Sequence, residues 1–281
     1  MDRVDIAPDI VQCLIITKIL LAAWSLLSAA EWLFNLHLFR SDGLLSWKIL
    51  GLRPGLIGAP PFRSYFYSES FIVSVLLSRI LGGLVLLLPY PNHAGPGDLA
   101  ASLAILLSCL YMSWRSRFGG DGSDQMGMVV AFGAAIMSAG VAMDDASLAW
   151  CGIFALAGQA TLAYFAAGAA KLASPVWREG GALLGVMQTQ SYGDSFAARF
   201  AQDRPGFCTF VCWLTIVTET LFPLVFILPP GLLMASLACF AAFHFSNAWF
   251  MGLNAFVWPF LATYPSVILA SSAIRDWAGL A

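Results

Sequence analysis

The apolar run from about Gln12 to Phe34 is long enough to cross a bilayer as one helix, and runs like it return along the chain. They lie at about Glu69–Leu88, Leu99–Trp114, Asp124–Met143, Leu148–Leu172, Phe207–Leu228, Leu232–Leu253 and Phe256–Ile274. A hydrocarbon core takes about 20 helical residues to span. Inside it every backbone N–H and C=O must bond within the protein, so only helices and closed barrels can cross. A barrel would show short alternating segments in place of long apolar runs. The runs therefore predict an all-α polytopic membrane bundle of about eight transmembrane helices, read as a single integral membrane domain over residues 1–281. Its first partner is the lipid bilayer.

Composition agrees, because 59% of the residues are hydrophobic and 11% charged, whereas soluble domains carry about 25% charge. The acidic start, MDRVDIAPD, leads into a run long enough to span, which is not the pattern of a cleavable signal peptide. The net charge of −2 comes with no basic tract, so no nucleic-acid partner is expected. Six cysteines fall almost entirely inside apolar runs and form no C-x-x-C pair. They read as small buried hydrophobes, with no disulfide or metal framework.

The loops sort the basic residues. One side of the membrane carries Arg40, Lys48, Arg53, Arg63, Arg115, Arg117, Lys171, Arg178, Arg199 and Arg204. The other carries only Arg3 and Arg275. By the positive-inside rule the first side is cytoplasmic. The long loop from about Asn35 to Ser68 mixes arginines with aromatics, glycines and prolines, and is expected to pack as amphipathic structure on the side where Lys171 emerges.

Lys18, Arg79, Glu219 and His244 lie inside apolar runs. A charge at the bilayer centre costs at least about 2.5 kcal/mol, so such groups face the bundle interior and pair. A structural ion pair of Glu219 with Lys18 or Arg79 is the plain expectation. His244 and Asn247 are three apart and share a helix face. His244 has no partnering histidine or cysteine motif, which argues against a metal site. In GDGSDQM, Ser123 or Asp124 reads as a helix N-cap. Asp124 and Gln125 read alternatively as the polar lip of a cavity.

The stretch YFAAGAAKLASPVWREGG, Tyr164 to Gly181, is a small-residue helix that ends on Lys171, a Ser-Pro break and then Trp177 and Glu179. Small residues let membrane helices approach closely. A lysine at the end of such a helix snorkels to the interface, or, when partly desolvated, acts as a base.

Three stretches together resemble the membrane domain of vitamin K-dependent γ-carboxylase and its bacterial relatives, the horizontally transferred transmembrane domain family, which includes sporulation-delaying-protein-B-like members. The first is YFAAGAAKL followed by Trp177 and Glu179-Gly180. The second is FHFSNAWFMGLNAFVWPFLATYP, with His244, Asn247, Phe256, Leu261, Ala262 and Pro265 in matching positions. The third, weaker, is Glu219 at an acidic position of the family. The likeness covers roughly Ser113 to Pro265. Where the carboxylase has a histidine before its fourth helix this chain has about Gly122, and where it has a second lysine, Ala170. The family's site faces the lumen, whereas the charge count sets Lys171 on the cytoplasmic side.

The resemblance implies an integral protein of the bacterial inner membrane that acts on a reduced, vitamin K-like quinone without a metal. It implies Lys171 as the catalytic base and His244, with Asn247, as the group that bonds a ring oxygen. Trp177, Glu179 and Glu219 would line the same cavity, with Asp124 and Gln125 at its mouth. The reaction would serve maturation of a secreted peptide. The alternative is a non-catalytic membrane subunit that partners a second membrane or soluble subunit, or a toxin or immunity peptide.

Overall fold

A computed structural model describes residues 6–50, 65–89, 96–116 and 120–280. Its regular elements are helices, with no strand among the described residues. In chain order they are α1 (Pro8–Phe34), a 3-10 turn (Leu36–Phe39), α2 (Trp47–Leu50), α3 (Glu69–Leu86), α4 (Pro96–Arg115), α5 (Gly122–Met143) and α6 (Ala146–Ala173). Then follow α7 (Pro175–Arg178), α8 (Gly181–Met187), α9 (Ser195–Gln202), α10 (Pro205–Thr220), a 3-10 turn (Phe222–Phe226), α11 (Pro230–Met251) and α12 (Asn254–Trp277). Seven of these, α1, α3, α4, α5, α6, α11 and α12, are long and apolar enough to cross a membrane. The chain is thus an integral membrane protein of the all-α class.

The run expected to span from Phe207 to Leu228 is interrupted. Its α-helix stops at Thr220 after 16 residues, and Phe222–Phe226 continues as a 3-10 turn. Pro223 has no N–H for the Glu219 carbonyl and its ring clashes with that carbonyl, which ends an α-helix there.

The residues gather into two compact units, Met1–Gly152 and Ile153–Ala281. In the first, α1 packs on α3, α3 on α4, α4 on α5 and α5 back on α1. The ring closes around Trp24, which is fully buried. A Cβ at Gly127 on α5 would overlap the Trp24 indole, so only glycine lets α5 seat there. Lys18 on α1 meets Asp98 on α4 at 3.0 Å, both side chains buried. The described parts of the loop after α1 cover this unit: Phe39, Leu45 and Tyr67 are buried, and the Arg115 guanidinium donates to the Leu45 carbonyl at 2.8 Å. Residues 51–64 of that loop lie outside the described residues.

In the second unit α10 packs on α7, α8 and α9, and α12 packs on α11 and on the 3-10 turn. The later part of α6 joins it through the side chains described next. Cys13, Cys109, Cys208 and Cys212 are buried as expected, but Cys151 and Cys239 are exposed.

Candidate functional site

Two polar groups of the second unit are built on one face of α6. Lys171 lies near the end of that helix and Glu219 near the end of α10. Lys171 Nζ stands 2.6 Å from Glu219 Oε2, and the carboxylate is buried. The small-residue run ahead of Lys171 explains the approach. A Cβ at Gly168, one turn earlier, would collide with the backbone at Glu219 and Thr220. Trp177, on the short α7 that follows the Ser-Pro break, sets its ring 5.1 Å from Nζ, within cation–π range. Trp213 Nε1 donates to the Arg178 carbonyl at 3.1 Å and ties α7 to α10. Gly180 then turns the chain at φ 84, hard against Thr209, a place for glycine on both counts.

Tyr164 precedes Lys171 by seven residues, about two turns, on the same face. Its hydroxyl is 2.7 Å from His244 Nε2 on α11 and 3.1 Å from the Tyr264 hydroxyl on α12. All three side chains are buried. The His244 ring stacks on Phe260 with centroids 4.3 Å apart, and Tyr164 packs between Phe222 and Phe240. His244 Nδ1 and Thr220 Oγ1 are buried with no hydrogen-bond partner among the described residues. Whichever tautomer His244 takes, one ring nitrogen serves Tyr164 and the other is left over. Among the described residues no hydrogen bond joins the Lys171–Glu219 pair to the Tyr164–His244–Tyr264 chain.

Other expected residues fall elsewhere. Asn247 follows His244 by one turn, half-buried, and its amide has no partner among the described residues. Glu179 is exposed and its carboxylate is likewise unpaired. Asp124 and Gln125 belong to the first unit and line a cleft there with Arg79 and Asp121. The N-cap of α5 is not Ser123 or Asp124. It is Asp121, whose carboxylate accepts from both of their backbone N–H groups. The pairing of Glu219 with Lys18 or Arg79 is also corrected. Lys18 pairs with Asp98, Arg79 donates to Ser108 and Ser28, and Glu219 pairs with Lys171.

Sequence reasoning passed over Tyr164, Tyr264, Asp98 and Asp121. The seven-residue spacing of Tyr164 and Lys171 was a usable signal. Asp98 stands beside a Gly-Pro turn, where an acid reads as a loop residue. Among the described residues no three His, Cys, Asp or Glu side chains come together as a metal site would need.

The fold and these groups define an integral membrane helical protein with a part-buried Lys–Glu pair and a buried Tyr–His–Tyr chain in one unit. No family model, curated protein or solved structure matches the chain.

Proposed function

We propose that the chain is a membrane enzyme that holds a quinol-like lipid in its second unit and takes a proton from it at the Lys171–Glu219 pair. The observation that carries the reading is that pair, 2.6 Å apart with its carboxylate buried. Ionisable groups within membrane helices are rare and tend to serve function, and a buried ion pair is a poor stabiliser compared with apolar packing. A ring oxygen suits His244, whose Nδ1 is a buried polar atom without a hydrogen-bond partner among the described residues, while Phe260 already stacks on the imidazole and fixes its plane.

A reduced quinone supplies an acidic ring hydroxyl. In the ion pair Lys171 already holds its proton, so the first acceptor is the Glu219 carboxylate. Lys171 acts as the base only after passing its proton to Glu219 across their contact. By either route the pair ends as neutral Glu219 and the Lys171 ammonium, with that positive charge beside the quinolate. A fixed charge of that kind lowers a barrier most in a water-poor site. His244 and Tyr164 position the ring oxygen. Maturation of a secreted peptide and a place in the bacterial inner membrane come with this reading through the family resemblance.

One observation favours the non-catalytic subunit instead. Lys171 is engaged by both Glu219 and Trp177, and the Tyr164 hydroxyl by both His244 and Tyr264, so most of the polar groups satisfy one another. The two readings part on lipid content and on Lys171→Arg. Mass spectrometry of the purified full chain should find a quinone, retained at least about tenfold less by His244→Phe. Lys171→Arg keeps the ion pair but cannot release its proton. If no quinone co-purifies and Lys171→Arg is wild-type in a cellular assay, the enzyme reading is abandoned.

A further inference from the structure

The first unit contains a cleft that the groups above do not use. Its cavity volume is about 90 Å³, and it opens to the surface. At its base lies Arg79, from the middle of α3, only 1% exposed. Nε donates to Ser108 at 3.0 Å and Nη1 to Ser28 at 2.8 Å. Nη2, with two more donors, has no hydrogen-bond partner among the described residues. A guanidinium with an unengaged edge in a confined space is built for a carboxylate or phosphate.

The lip has the opposite sign. Asp124 accepts from Ser28 at 3.3 Å, so Ser28 stands between it and Arg79 rather than the two meeting directly. Asp121 spends one carboxylate oxygen on capping α5, and its other oxygen has no hydrogen-bond partner among the described residues. Glu31, exposed on α1, lies within electrostatic range of both aspartates. A simple anion would have to pass this lip, and a simple cation would gain nothing from Arg79. Trp32, Met112 and Met128 give the wall between them an apolar surface.

We infer that this cleft binds a zwitterion, with its phosphate or carboxylate on Arg79 and its ammonium between Asp121 and Asp124. Two sources have that chemistry: the headgroup of an ethanolamine phospholipid, and a free amino acid or aminophosphate. This site is independent of the proposed reaction at Lys171.

The test uses the full chain, wild-type, Asp121→Asn, Asp124→Asn and Arg79→Lys. Asparagine caps a helix as well as aspartate does, so Asp121→Asn removes charge without removing the α5 cap. In one arm, native mass spectrometry follows binding of phosphatidylethanolamine and phosphatidylglycerol to delipidated protein. In the other, calorimetry follows O-phosphoethanolamine and glycine. A preference for the ethanolamine lipid that falls about tenfold in each aspartate variant assigns the cleft to a headgroup. Saturable binding of a soluble zwitterion that weakens in the same variants, with no lipid preference, assigns it to a free ligand. Arg79→Lys, which keeps the charge and loses the fork, should weaken either. Equal retention of both lipids with no binding of either soluble probe overturns the proposal. So does a preference that all three variants keep.

Discussion

Gly168 on α6 faces the backbone of Thr220 on α10 so closely that no Cβ fits between them. That contact brings Glu219, the residue before Thr220, within 2.6 Å of Lys171, the residue one turn after Gly168. The glycine therefore sets the geometry of an ion pair to which it contributes no atom.

Gly168→Val should push α10 away from α6 and break the pair. Overpacking of this kind costs about 1–3 kcal/mol. Thermal unfolding in detergent should show the loss, and Gly168→Ala should lie between the two. A wild-type melting temperature for Gly168→Val would disprove the close approach.

The position of Lys171 at a helix end implies that its loss is cheap, within about 0.5 kcal/mol as for surface positions. The buried Glu219 changes that expectation. Lys171→Ala leaves a carboxylate in the interior without its cation, at about 3 kcal/mol. The double change Lys171→Met with Glu219→Leu should recover most of that, since an apolar pair replaces both charges. Denaturant titration of the two variants distinguishes them; equal destabilisation would show that the carboxylate is not held by Lys171.

Tyr164→Phe removes the hydroxyl that serves both His244 and Tyr264. Two buried groups then lose a partner, at about 1–3 kcal/mol each. Tyr264→Phe leaves the Tyr164–His244 bond in place and should cost less. The order Tyr164→Phe below Tyr264→Phe in thermal stability is the expected result, and the reverse order would contradict the bond to His244.

Asp121→Ala should cost about 1 kcal/mol through loss of the α5 cap, and Asp121→Asn a few tenths at most. Ser123→Ala should be the milder change, because Ser123 is a donor to the capping carboxylate and not the cap itself. Amide exchange over the first turn of α5 reads this directly. Faster exchange in Ser123→Ala than in Asp121→Ala would return the cap to Ser123.

The helical class, the membrane setting and most of the spans were legible because run length and hydropathy are local properties of the chain. So was the need of Lys171, Glu219 and His244 for partners, since a charge or an imidazole in an apolar run must find company wherever the run packs. Pro223 was in plain view too, but a missing N–H does not decide alone, since Pro259 and Pro265 lie within α12 without ending it. What the sequence left open was which partner each polar group takes. Lys171 and Glu219 are 48 positions apart, Tyr164 and His244 80, and Lys18 and Asp98 also 80. A helix presents several faces, and hydropathy nearly uniform around its axis does not say which face meets which neighbour. Only the packing of α6 on α10 gave Glu219 to Lys171, and only the ring of α1, α3, α4 and α5, which brings α4 across from α1, gave Asp98 to Lys18. The reason is physical: backbone hydrogen bonds are satisfied within each helix, whereas a buried charge is satisfied between helices.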